Sequence, residues 1–160
     1  MTIKVGDKVP SATFMQMQEG GPKPVQSDDI FSGKKVVLFS VPGAFTPTCS
    51  AKHLPGFIQN ADAIKKKGVD TIACMAVNDA FVMGAWGKQQ DAGDKVMMLA
   101  DGNGDFARAL DLEMDGTKFG MGKRSKRFSM LVDNGVVKAL NVEEPGAFAV
   151  SSAEHILTQL

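Results

Sequence analysis

Cysteine is scarce in this chain, with Cys49 and Cys74 the only two among 160 residues. Two do not make a disulfide scaffold, and a chain of this length buries enough core without one. An excess of one charge is also missing: 18 Lys and Arg balance 18 Asp and Glu. No block of like charge exceeds Lys65-Lys66-Lys67. That triplet closes an expected helix, where cations suit the C-terminal dipole, so nothing marks a surface for nucleic acid or membrane. No apolar run approaches a membrane span. The opening Met1-Thr2-Ile3-Lys4-Val5-Gly6-Asp7 lacks the apolar centre of a signal peptide. Internal repeats and low-complexity segments are absent as well. These absences lead us to expect one domain over residues 1–160, in a reducing compartment such as the cytoplasm.

What is present centres on Val41-Pro42-Gly43-Ala44-Phe45-Thr46-Pro47-Thr48-Cys49-Ser50. Before it, Lys35 to Ser40 is a short apolar run with β-branched residues, which reads as a buried strand. After it, Leu54, Phe57, Ile58, Ala61 and Ile64 recur at helical spacing within Ala51 to Lys67. The decapeptide is therefore a strand-to-helix turn. Thr46 suits the N-cap and Pro47 the first helical position, which puts Cys49 third, inside the first turn. Free N–H groups and the positive end of the macrodipole there favour thiolate over thiol. Pro55-Gly56 within the helix predicts a kink or break beyond the cysteine.

The remaining chain alternates. Residues 3–18 look extended, residues 19–22 form a turn, and Ser27 opens a short helix or turn through Ile30 and Phe31. Strands are expected over 69–77 and 96–100, with a helix from about Phe81 to Gln90 after an Asn78-Asp79 cap. A short helix through Phe106 and Leu110 leads to a Gly-rich loop over 111–125. Asp133-Asn134-Gly135 joins two apolar runs, 127–132 and 136–140, as a hairpin. Ser151-Ser152-Ala153-Glu154 reads as a capping box for the last helix. The order predicts an α/β fold with a mixed central sheet, helices on both faces and an N-terminal extended segment. It resembles the thioredoxin-like fold, although the Cys-x-x-Cys of thioredoxins is absent.

Pro42-x-x-x-Thr46-x-x-Cys49 matches the active-site motif of the peroxiredoxins. The longer string from Pro42 to Ser50, followed by Lys52-His53-Leu54-Pro55-Gly56-Phe57, resembles their type II, peroxiredoxin-5-like branch. Val77-Asn78-Asp79, Leu99-Ala100-Asp101, Arg124 to Phe128 and Asn141-Val142-Glu143 extend the resemblance over nearly the whole chain. It implies a thiol peroxidase active in antioxidant defence, needing neither a metal nor an organic cofactor. Cys49 would be the peroxidatic cysteine, oxidised to a sulfenic acid by hydrogen peroxide or alkyl hydroperoxides. Thr46 would orient the peroxide, Pro42 shield the sulfur and Arg127 stand beside it. Phe119 is a candidate to line the peroxide pocket.

Other residues admit several readings. Arg108 and Arg124, the remaining arginines, suit exposed charges, with Arg124 also able to support the site. His53, four residues after Cys49, could pair with the thiol, support the site from behind or contact a second subunit. His155 reads as a surface or half-buried residue. Cys74 lies inside an apolar strand and reads as a core thiol. Some type II members carry a resolving cysteine near the last helix. Val150-Ser151-Ser152 stands there instead. The resemblance then favours recycling by an external thiol, glutathione with glutaredoxin first and thioredoxin second, and a homodimer to which residues 111–125 contribute. Two other readings use the same cysteine: a peroxide-sensing switch or chaperone-like protein, and a cysteine hydrolase with His53 or His155.

Overall fold

The computed structural model describes residues Met1 to Leu160. The extended N-terminal stretch supplies β1 (Thr13–Gln18), which pairs antiparallel with β2 (Gly21–Gln26) across a tight turn. β2 escapes sequence reading because Pro22 and Pro24 lie inside it. Proline is tolerated there because β2 is the outermost strand, with no further neighbour to receive its N–H groups. A single helical turn, α1 (Ser27–Phe31), buries Ile30 and Phe31. Then β3 (Lys35–Ser40), β4 (Thr71–Ala76) and β5 (Met97–Ala100) form a parallel centre. The closing hairpin, β8 (Phe128–Asp133) and β9 (Val136–Val142), adds two antiparallel strands beside β3. Asn134 and Gly135 both take positive φ, as a two-residue hairpin turn requires. The sheet order is β2-β1-β5-β4-β3-β8-β9.

Alternation along the central strands divides the core. Val36 and Leu38 of β3 pack with Ala73 and Met75 of β4, against α1 and α5 (Asp105–Leu110). Val37 and Phe39 face the other way with Ile72 and Cys74, under α2 (Leu54–Gln59), α3 (Ala61–Lys66), α4 (Ala80–Gln89) and α6 (Ala153–Leu157). Cys49 belongs to this second cluster. Helices thus cover both faces, as expected, and none is long and apolar enough to cross a membrane.

Several expectations need correction. Residues 111–125 are not a plain loop: β6 (Glu113–Asp115) pairs with β7 (Lys123–Ser125) around a 3-10 turn, Thr117–Phe119. Strands of three residues carry too little periodicity to be read. The helix after Cys49 is broken in a different place from the one Pro55-Gly56 predicts. Its start at Pro47 runs into a π-helical turn, Cys49–His53, in which the Leu54 N–H donates to the Cys49 carbonyl. Pro55 is the second residue of α2, in the first turn, where its missing N–H is tolerated. The break proper falls at Asn60. The final helix is capped one residue late: Ser152, not Ser151, accepts the His155 N–H.

Candidate active site

β3 ends one residue before Val41, whose N–H donates to the Met75 carbonyl. The chain then turns through Pro42 to Phe45, held by the Ala44 N–H donating to Asn78 Oδ1. Gly43 is needed for close approach: a Cβ there would lie 3.0 Å from Arg124 Nη1 and 3.3 Å from Thr46 Cγ2. Phe45, 48% exposed, sits at φ 66°, a conformation costly for a bulky residue. Thr46 precedes the helix as expected, and its carbonyl accepts the Ser50 N–H. Its hydroxyl, however, donates to the Gly43 carbonyl at 2.7 Å rather than capping the helix. With its proton committed there, Thr46 Oγ1 offers lone pairs to an incoming group.

Cys49 is fully buried. Arg127, just ahead of β8, donates from Nη2 to Cys49 Sγ at 3.0 Å. From Nη1 it reaches His53 Nδ1 at 2.8 Å. The His53–Cys49 pairing entertained from sequence is not formed; Arg127 is the group both residues touch. A guanidinium only donates and a carbonyl only accepts, so His53 is the neutral tautomer. Its Nδ1 is bare toward Arg127, and Nε2–H donates to the Ser151 carbonyl at 2.9 Å. Burial, followed by the Arg127 charge, pushes His53 down to about 3. Phe39, Phe57 and Phe148 enclose its ring. The sulfur thus meets a cation, and a neutral imidazole stands behind that cation.

A family model described as Redoxin matches residues 4–157. Peroxiredoxin-2D of Arabidopsis thaliana is 50% identical over 159 residues, covering 99% of this chain and 98% of the relative. The chain belongs to the peroxiredoxin family. The protein named Peroxiredoxin-2E, chloroplastic, also from Arabidopsis thaliana, is 51% identical over 163 residues, covering 99% of this chain and 70% of its own. Among solved structures, reduced Prx3 of Vibrio vulnificus in complex with hydrogen peroxide superposes with a TM-score of 0.95. It is 54% identical and covers 99% of both chains. The fold is accordingly thioredoxin-like, and the protein is a thiol peroxidase, an oxidoreductase with peroxide as acceptor.

In this peroxiredoxin the motif residues converge unevenly. Pro42, Thr48 and Arg127 line a cavity of about 320 Å³, shared with Met114, Glu143 and Glu144. Pro42 also accepts, through its carbonyl, a long 3.4 Å bond from Arg124 Nη1, so Arg124 braces the loop. Phe119 does not line this cavity. It stands 80% exposed on the 3-10 turn, and within one chain it does not meet the sulfur's surroundings. Trp86 is buried and donates from Nε1 to Ser50 Oγ at 3.0 Å, while Gln90 Nε2 donates to the Ser50 carbonyl. His155 is half-buried on α6. Cys74 is a fully buried core thiol, and burial, then the neighbouring Cys49, pushes its thiol well up. A larger cavity of about 400 Å³, between α4 and the β1 and β5 strands, is lined by no cysteine, serine or threonine.

Glu143 belongs to a stretch that carries the family resemblance, but its role has no signal in the sequence. Glu143 follows β9, and its N–H donates to the Arg127 carbonyl at 3.0 Å. Its carboxylate accepts the N–H groups of Ala149, Val150 and Ser151 and the Ser151 hydroxyl, all at 2.7–2.9 Å. Burial pushes this carboxyl up, but the Ser151 hydroxyl and the three N–H groups outweigh it and hold it below the usual glutamate value.

Proposed function

We propose that Cys49 is the peroxidatic cysteine, with Thr46, Arg127 and Pro42 as its immediate machinery. The observation that carries this is the 3.0 Å bond from Arg127 Nη2 to Cys49 Sγ. The thiolate attacks the terminal oxygen of a hydroperoxide. The O–O bond breaks, Cys49 becomes a sulfenic acid, and the alkoxide or hydroxide leaving group takes a proton to depart as alcohol or water. Thr46 Oγ1 accepts the peroxide O–H. Arg127 and the N–H groups of the first helical turn stabilise charge on the departing oxygen. Pro42 helps wall the entrance. Hydrogen peroxide and small alkyl hydroperoxides are the substrates.

The sulfenic acid is recycled by an external thiol. Cys74 lies deep in the sheet with its thiol form favoured, and residues 149–152 offer no cysteine. Glutathione condenses with the sulfenic acid, releasing water and leaving a mixed disulfide on Cys49, which glutaredoxin reduces; thioredoxin is the second choice. Two unpaired cysteines suit a reducing location such as the cytoplasm. Exposed Phe45, Phe81 and Phe119 provide apolar surface for a homodimer, in which Phe119 can reach a pocket it does not reach in one chain.

The test is the intact mass of reduced protein after one equivalent of peroxide, with and without glutathione. One added oxygen on Cys49, replaced by a glutathione adduct, is expected. A loss of two hydrogens mapped to a Cys49–Cys74 bridge would overturn external resolution. An unchanged mass would overturn the assignment of Cys49. Stoichiometric oxidation without turnover under any thiol donor would favour the peroxide-sensing switch instead.

A further inference from the structure

Arg127 and Glu143 are cross-strand neighbours just past the β8–β9 ladder, yet no carboxylate lies within salt-bridge distance of the guanidinium. The Glu143 carboxylate is instead occupied by three successive backbone N–H groups and the Ser151 hydroxyl. Wrapping residues 149–151 around the carboxylate fixes the place of Ser151, and the Ser151 carbonyl meets His53 Nε2. His53 Nδ1 meets Arg127 Nη1. The path closes on itself, because the Glu143 N–H returns to the Arg127 carbonyl. Arg127 is therefore gripped at its main chain and at one guanidinium nitrogen by one circuit. The other nitrogen, Nη2, is left for the sulfur.

We propose that Glu143 is a positioning residue for the peroxidase reaction: through Ser151 and His53 it aims the Arg127 guanidinium at Cys49 while never pairing with it. The proposal rests on the reading of Cys49 and Arg127 as the reacting pair. Three features support it. Its inner members are buried, His53 and Ser151 at 0% exposed and Glu143 at 7%, while Arg127 is half-buried at the cavity. Every polar group in the circuit is paired, the Ala149 N–H being shared by both Glu143 oxygens, so a change at one end is passed along the hydrogen bonds. A direct Arg127–Glu143 pair would neutralise the charge offered to the sulfur, and the three amides hold the carboxylate away from that arrangement.

A double-mutant cycle on the full chain separates positioning from mere stability. Oxidation of Cys49 by hydrogen peroxide is timed by quenching and intact mass, below the melting temperature of every variant. Glu143→Gln is expected to slow oxidation about tenfold, and less than about twofold when His53→Phe is already present. The His53 ring lies among three phenylalanines, so the phenyl replacement keeps the packing. The His53 ¹⁵N resonances should report a fixed Nε2–H tautomer in the wild type and a mixture in Glu143→Gln. Equal slowing in both backgrounds, or none in either, overturns the proposal. If Glu143→Gln fails to fold, Ser151→Ala takes one donor from the carboxylate and keeps the carbonyl; its slowing must likewise vanish beside His53→Phe, and additivity overturns the proposal. Failure of the wild type itself to gain oxygen on Cys49 would instead sink the reading of the reacting pair.

Discussion

At the scale of single residues, the proposed chemistry turns on the Arg127 guanidinium. Its Nη2 lies on the sulfur, so it also stands where charge develops as the O–O bond breaks. Arg127→Gln is expected to slow Cys49 oxidation about 100-fold, the cost typical of losing one such donor. Rapid-quench mass measurement checks this, and an unchanged rate would remove Arg127 from the mechanism. His53 carries a second prediction. It titrates near 6.5 when unfolded and near 3 when folded. Between those values the unfolded chain holds a proton that the native one does not, so stability rises with pH across the window and levels off above it. Denaturation midpoints from about pH 5 to about pH 7, above the range where Glu143 titrates, should rise with pH in the wild type and flatten in His53→Gln. Parallel slopes would contradict the burial argument. Cys49, Thr46 and Arg127 were legible because they lie in or match a local motif. The role of Glu143 was not, and His53 as a support behind the site was one of three readings that the sequence left open. Their partners lie 74 and 98 residues from His53, and only the closing hairpin and last helix bring them together.

At the scale of elements, legibility followed length and neighbours. β3 and β4 announce themselves as apolar runs because both faces are covered. β2 hides behind prolines that only an edge position permits. The π-helical turn leaves no mark except Pro55, which signals an interruption without saying where it falls. On α4, Gly84 and Gly87 form a flat strip against β1 and β5. A Cβ at Gly84 would come within 2.8 Å of Met17 Cβ, and one at Gly87 within 2.7 Å of Met98 Cγ. Gly84→Ala would gain up to about 1 kcal/mol of helix propensity but incur about 1–3 kcal/mol of overpacking. Because Met17 Cβ is fixed to the backbone of β1, the clash should win, with a net loss of about 1 kcal/mol. Chemical denaturation would detect it, and a stabilised variant would mean that β1 and α4 slide apart easily.

At the scale of the whole molecule, a seven-stranded sheet separates two cores of different duty. One, with α1 and α5, is purely apolar packing. The other carries Cys49 on its helical side and Cys74 on its strands. The two thiols thus share one cluster, and Cys74 is fully buried within it. Phe45, Phe81 and Phe119 are the exposed phenylalanines that the proposed homodimer would cover. Reduced protein at micromolar concentration should therefore scatter light as a dimer, and Phe119→Asp should shift it toward monomer. A monomeric wild type would leave these rings without a covering partner and refute the dimer.

The bond between Trp86 and Ser50 has an optical consequence. The chain contains one tryptophan and no tyrosine. Its near-ultraviolet emission therefore comes from a single indole, and that indole is tied by its N–H to Ser50, the residue next to Cys49. Any unwinding of the turn that exposes Cys49 must stretch or break this tie and change the polarity around the ring. On the proposed reading of Cys49, the protein carries its own dye beside its redox centre, and its emission is expected to change with each turnover, which a fluorimeter checks without a label.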